Sequence, residues 1–298
     1  MATQLLPAGV YAALATPFDA EGALDGAGLE RLVAHVIAGG ADGISPVGST
    51  GEGARLTREQ RLDVVRRVRS LVPDDRPVIA GAPLFDVAGG LAELAELADA
   101  GADAALVSPQ SGYPLSDDDV LRFFDGLAER SPLPLVLYNI PAYTGVRIAI
   151  DVVGRLAEHR SVIGIKDSSR DMEYLQGVVF ATSDASFGVF TGTDTLLAAS
   201  LAAGADGEIA ASVNLVPGLA TAVYRAFTSG DLATARREQA RLFRVVTACR
   251  RGPAPAGWKA ALSVAGICEG YLASPGSTLP DPMRDELART LTELGVVP

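Results

Sequence analysis

The sequence predicts an α/β protein: a closed (β/α)8 barrel, the TIM-barrel architecture, over residues 1–230, followed by a three-helix appendage over 231–298. Three observations carry that expectation. One connection recurs three times, as Ala38-Gly39-Gly40-Ala41-Asp42-Gly43-Ile44, Ala100-Gly101-Ala102-Asp103-Ala104-Ala105-Leu106-Val107 and Ala203-Gly204-Ala205-Asp206-Gly207-Glu208-Ile209-Ala210. In each, a glycine takes the left-handed position that ends a helix, Ala-Asp makes a short turn, and an apolar run suits a strand buried on both faces. Apolar runs of strand length also alternate eight times with helical patterns over about 220 residues, which fits a closed barrel better than an open doubly wound sheet. Finally, 298 residues at 48% hydrophobic content can bury one large core.

In order, the strands are expected near residues 9–15, 43–47, 77–81, 104–108, 134–138, 162–166, 187–191 and 207–211. Helical periodicity fills the gaps at 29–38, 58–71, 87–100, 117–130, 150–159, 172–180, 195–203 and 215–229. Thr57-Arg58-Glu59-Gln60 reads as a capping box opening the second helix. The appendage reads as an amphipathic helix over 232–250, an apolar one over 257–268 with Trp258 and Lys259 at its start, and a mostly polar one over 282–294.

Bulk properties exclude several function classes. A net charge of −11 argues against a nucleic-acid partner, which needs clustered Lys and Arg facing one way. Cys249 and Cys268 form no CxxC pair and read as small hydrophobes rather than a disulfide framework. No apolar run approaches the length needed to cross a bilayer and the start lacks a basic leader region, so a soluble, cytoplasmic protein without a membrane partner is expected.

Barrel chemistry belongs at the carboxyl ends of the strands, and the unusual residues fall there. Only two of the 25 basic residues are lysines, and Lys166 closes the apolar run Val162-Ile163-Gly164-Ile165-Lys166-Asp167. An amine in apolar surroundings can lose its proton and act as a nucleophile, which arginine cannot. The plainer reading is a snorkelling side chain with Asp167 as a partner. Strand two ends in Gly48-Ser49-Thr50-Gly51-Glu52, a turn that aims backbone N–H groups and two hydroxyls at an anion, or else a plain tight loop. Strand five ends in Tyr138-Asn139-Ile140-Pro141. A hydrogen bond from Thr50 and a nearby carboxylate or amine would make the Tyr138 phenol a proton relay, and otherwise it is a packed core residue.

Strand seven closes on Thr191-Gly192-Thr193-Asp194, where Asp194 is expected to cap the next helix or bind substrate hydroxyls. Strand eight closes on Ala210-Ala211-Ser212-Val213-Asn214, whose small residues leave room for a ligand. Lys259, beside Trp258, is expected to be solvated or stacked. His35 and His159 are isolated on predicted helices, so neither a metal site nor a Ser-His-Asp set can be assembled, and no cofactor is expected.

With Gly48-Ser49-Thr50-Gly51-Glu52, Tyr138-Asn139-Ile140-Pro141, Gly164-Ile165-Lys166-Asp167 and Gly192-Thr193-Asp194 in this order, the chain resembles the dihydrodipicolinate synthase/N-acetylneuraminate lyase family over nearly its whole length. That resemblance implies a class I, Schiff-base-forming pyruvate aldolase, usually a homotetramer. It makes Lys166 the amine that condenses with a 2-oxo acid, Ser49 and Thr50 the binders of its carboxylate, and Tyr138 the proton shuttle. Gly48, Tyr113, Tyr143, Gly192, Asp194, Thr195, Ala211 and Ser212 are the accompanying candidates for substrate binding.

Departures from the family pattern bear on the substrate. Dihydrodipicolinate synthases generally carry an arginine where this chain has Tyr143, and an aromatic pair where it has Gln110-Ser111-Gly112-Tyr113. Sialic acid lyases tend to carry an acidic residue at Thr195. The expected function is therefore a lyase that cleaves or builds a 2-oxo-3-deoxy sugar acid from pyruvate and an aldehyde. Dihydrodipicolinate synthase itself, a dehydratase using the same Schiff base, and a non-catalytic 2-oxo-acid sensor on the same barrel are the alternatives.

Overall fold

A computed structural model of the protein describes residues 6–297, so the outermost ends of the two predicted domains lie outside the described residues. Strands β1 (Gly9–Ala13), β2 (Gly43–Ser45), β3 (Ile79–Leu84), β4 (Ala104–Pro109), β5 (Leu135–Asn139), β6 (Val162–Asp167), β7 (Gly188–Thr191) and β8 (Gly207–Ala210) are all parallel. They form one sheet in the order β2-β1-β8-β7-β6-β5-β4-β3. A bridge between Ile44 and Val78 and the bond from Gly81 N–H to the Pro46 carbonyl (2.9 Å) join its two ends into a barrel.

Helices α1 (Gly26–Ala38), α2 (Arg58–Leu71), α3 (Val87–Asp99), α4 (Asp117–Ala128), α5 (Pro141–Thr144), α6 (Ile150–Leu156), α7 (Met172–Ala181), α8 (Leu197–Ala202) and α9 (Pro217–Thr228) lie between and after the strands. Then α10 (Leu232–Cys249), α11 (Ala256–Val264) and α12 (Asp281–Glu293) make up the C-terminal appendage.

The repeated connection does more than turn the chain. Gly40, Gly101 and Gly204 have φ of 90°, 92° and 100°. The next residues, Ala41, Ala102 and Ala205, donate back to Val36, Leu97 and Ser200, a Schellman closure each time. The aspartate that follows grips the neighbouring strand. Asp42, Asp103 and Asp206 accept from the N–H of Val10, Val78 and Val189, each at 2.8 Å, and donate their own N–H to the same three carbonyls. Each unit thus ends a helix and fixes a strand register at once.

Most differences from the expected elements are at ends. The helix expected over 195–203 starts as a 3-10 turn, Asp194–Leu196, before α8. That expected over 150–159 stops at Leu156, and that over 257–268 stops at Val264. The short α5 was not anticipated: Pro141 suits a first helical turn, and Gly145 ends it at φ 69°.

Strand alternation sorts the barrel wall into two apolar sets. Val10, Ala12, Ala105, Val107, Leu135 and Leu137 pack outward with the helices, whereas Tyr11, Leu106, Val136, Tyr138, Phe190 and Ile209 fill the lumen. Glu208 sits beside Val10 on the outward side, fully buried, and neither carboxyl oxygen has a hydrogen-bond partner among the described residues. Burial, reinforced by Asp194 and opposed by Lys166, pushes its carboxyl well above the usual carboxylate range. The native state therefore holds a proton that the unfolded chain releases above about pH 4.5, so this group lowers stability progressively as pH rises from there towards its folded value. Glu208→Met is expected to raise the midpoint of thermal unfolding at pH 8 by removing an unsatisfied group worth about 1–3 kcal/mol. The gain should shrink at pH 5, and an equal gain at both would contradict a buried protonated carboxyl.

Candidate active site

Lys166 reaches the lumen because β6 breaks its alternation. Val162 packs outward and Ile163 inward, so regular pleating would turn the side chain of residue 166 outward, yet Ile165 packs outward and the Lys166 amine lies 4.5 Å from the centroid of the lumenal Tyr138 ring. A register shift opposite Leu135 and Val136 supplies the extra residue. Gly164 sits in this bulge, where an added Cβ would come within 2.6 Å of the Gly188 carbonyl oxygen. Lys166 is 4% exposed and makes no ion pair among the described residues, which excludes the reading as a snorkelling partner of Asp167.

Asp167 is occupied elsewhere. It accepts from Asn139 Nδ2 (2.7 Å) and from the N–H and hydroxyl of Ser169 (3.1 and 2.9 Å), and burial raises its pKa against those bonds. Asn139 also accepts from the Ile148 N–H at 3.1 Å. The motif residues flanking Tyr138 and Lys166 are therefore structural, tying the loops after β5 and β6 together so that phenol and amine stay side by side.

The turn after β2 is held from behind by the appendage. Val47 and Glu52 bracket it in left-handed conformations, φ 51° and 58°, which non-glycine residues adopt only where surroundings enforce them. Glu52, buried, pairs with Arg55 (3.0 Å) and Lys259 (3.4 Å) and accepts from the Ala273 N–H (3.0 Å). Lys259 is fully buried, donates to the Thr16 carbonyl and lies 4.5 Å from the Phe18 ring centroid. This corrects the expectation of a solvated Lys259, while the stacked alternative holds with Phe18 as the ring. Burial pushes its amine below the ordinary lysine range, against the pull of Glu52. The capping box is present: the Thr57 N–H donates to Gln60 Oε1 (2.9 Å), and the Gln60 N–H to Thr57 Oγ1 (3.2 Å).

The lumen opens into a cavity of about 300 Å3 lined by Ser49, Thr50, Tyr138, Tyr143, Lys166, Gly192, Asp194 and Ala211, all expected from the sequence. Gly192 keeps its wall open, since an added Cβ would strike the Ser168 hydroxyl and lie 2.8 Å from Lys166 Cε. A second lobe of about 450 Å3 shares Ser49, Tyr138 and Tyr143 and adds Gly48. The hydroxyl paired with the Tyr138 phenol is that of Ser49, at 3.4 Å, and not that of Thr50 as expected.

Asp194 does not cap a helix. Its Oδ1 accepts from the Ser212 N–H at 2.7 Å, joining the ends of β7 and β8, and its Oδ2 is 3.8 Å from Arg250. Ser212 itself is fully buried outside the cavity lining, and Thr195 and Tyr113 do not line it either. Tyr113 stands 82% exposed on the loop after β4. The sequence reading missed Ser168, Ser169, Arg170, Arg250 and Trp258, which also line it. A larger cavity of about 520 Å3, lined by His35, Arg241 and Arg244 between α1, α9 and α10, contains no lysine or phenol.

The chain is similar to known proteins in sequence and in fold. The family model described as the dihydrodipicolinate synthetase family matches residues 6–294. A 4-hydroxy-tetrahydrodipicolinate synthase of Methanothrix thermoacetophila is 34% identical over 287 residues, covering 96% of each chain. Among solved structures, dihydrodipicolinate synthase of Thermotoga maritima superposes with a TM-score of 0.93 at 29% identity, covering 98% of this chain and 99% of that one. YagE, a prophage protein of the same family from Escherichia coli K12 solved in complex with pyruvate, gives 0.91 at 29% identity, covering 97% and 99%.

Proposed function

Because the chain belongs to the dihydrodipicolinate synthetase family, we propose that it is a Schiff-base lyase that cleaves or forms a 2-oxo-3-deoxy acid, with pyruvate and an aldehyde as the partners of the reaction. The observation that carries this reading is the buried Lys166 amine, turned into the lumen beside the Tyr138 ring at the floor of a hydroxyl-lined cavity. The neutral amine attacks the ketone carbon, and loss of water leaves an iminium. The Ser49-Thr50 turn holds the substrate carboxylate with neutral donors. Tyr138 takes the proton of the hydroxyl carried by the departing carbon of the bond to be broken. As that carbonyl forms, the carbon–carbon electrons flow into the iminium, an enamine results, and the aldehyde leaves. Protonation of the enamine carbon and hydrolysis then return pyruvate and the free amine, with no metal in the sequence.

A second reading, condensation of pyruvate with aspartate semialdehyde, is favoured by the name of the Methanothrix relative. Tyr143, 62% exposed at the cavity mouth where those synthases generally hold an arginine, speaks against it. We further read the protein as a cytoplasmic homotetramer. The exposed Tyr113 suits a role in a neighbouring protomer's site, and no described helix is long and apolar enough to cross a membrane.

The test pairs trapping with turnover. Incubation with pyruvate and borohydride should add a reduced pyruvyl group to Lys166, and pyruvate release from 2-oxo-3-deoxy acids should exceed condensation with aspartate semialdehyde. Absence of the adduct would refute the mechanism, and faster condensation would reverse the order of the two readings.

A further inference from the structure

Two guanidinium groups stand at the mouth of the Lys166 cavity, and the mechanism above uses neither. Arg170, four residues beyond Lys166 on the loop after β6, lines the cavity and makes no hydrogen bond or ion pair among the described residues. Its neighbour Asp171 is taken by Arg147 at 2.9 Å and by the Tyr174 N–H at 3.0 Å. Arg170 also holds φ at 64°, a conformation glycine would adopt without strain.

Arg250 reaches the same cavity from the end of α10, with its side chain 32% exposed and only a loose 3.8 Å approach to Asp194. Arg55, which lines the second lobe and not this cavity, is paired with Glu52 at 3.0 Å. Of the three groups Arg170, Arg250 and Asp194, the two guanidiniums outnumber the one carboxylate.

We infer that Arg170, together with Arg250, receives a second anionic group, a carboxylate or phosphate, on the aldehyde-derived end of the substrate. The inference rests on the Schiff-base reading and narrows it to acids with charge at both ends. Guanidinium forks suit either anion, since each offers paired oxygens. The 2-oxo acid carboxylate is already served by the Ser49-Thr50 turn, so the arginines are left for the other end. Tyr143 lines the same cavity where an arginine would be usual, and the charge enters from two other positions instead.

The test is condensation of pyruvate with glyceraldehyde, glyceraldehyde 3-phosphate and succinic semialdehyde, by wild type and Arg170→Gln. Wild type should prefer one of the two acidic aldehydes over glyceraldehyde by about tenfold or more in kcat/KM, and the preferred acid identifies the anion as phosphate or carboxylate. Arg170→Gln should erase most of that ratio, chiefly through KM, and raised salt should weaken the wild-type preference. A ratio unchanged in the variant, or a wild-type preference for glyceraldehyde, overturns the inference. Borohydride trapping of pyruvate on wild-type Lys166 separates the failures: an adduct without acid preference removes this inference alone, and no adduct removes the Schiff-base reading with it.

Discussion

Lys166→Arg is expected to lower turnover by roughly 10^4-fold or more while the barrel stays folded. Arginine keeps a cation at the position but remains protonated and cannot form an imine, so the covalent step is lost outright rather than slowed. The added atoms project towards a cavity of about 300 Å3 and not into close-packed core. Overpacking should therefore cost no more than about 1–3 kcal/mol, and thermal unfolding would show a midpoint close to wild type. The only other lysine, Lys259, is fully buried and occupied by Glu52 and the Thr16 carbonyl. A borohydride-stable pyruvyl mass found in wild type and absent from the variant therefore assigns the adduct. Turnover within a hundredfold of wild type would mean that the amine is not the nucleophile.

The proposed nucleophile was legible in the sequence because arginine had displaced lysine almost everywhere else, and the barrel because period-two and helical patterns alternate so regularly. What could not be read was how that lysine comes to face inward. Regular pleating turns residue 166 outward, and only the bulge around Gly164 reverses it. A lone glycine inside an apolar strand was the available signal for such a bulge. The Asp42, Asp103 and Asp206 bonds to neighbouring strands were half legible: the repeat was plain, but its partners lie 32, 25 and 17 residues away. Asp194 misled for a related reason. An aspartate at a strand-to-helix junction is a natural cap, and its actual donor, the Ser212 N–H, comes from the next strand's loop. Arg170 carried no sequence signal, because its value depends on a left-handed backbone and on Arg147 taking the neighbouring Asp171.

The burial of Lys259 and its pairing with Glu52 were not legible in the sequence, and its replacement should have the largest effect on stability. In Lys259→Met, Glu52 keeps Arg55 and the Ala273 N–H but loses a charge partner where its side chain is 1% exposed. Breaking one side of a buried pair costs about 3–5 kcal/mol where the remaining charge is left alone, and the Arg55 still held by Glu52 places this loss at the lower end of that range. In a domain of this size that lowers the unfolding midpoint by roughly 6 °C or more. Glu52→Gln combined with Lys259→Met should recover part of the loss, since the stranded charge is then gone and the two changes share one contact. Activity separates this from simple destabilisation. Glu52 ends the turn that presents Ser49 and Thr50, and α11 holds it from outside the barrel, so loosening the pair should raise KM for pyruvate at temperatures where the variant is fully folded. A Lys259→Met protein with wild-type stability would show that the pair is not what anchors the appendage. One that is destabilised but has an unchanged KM would show that the turn holds its shape without it.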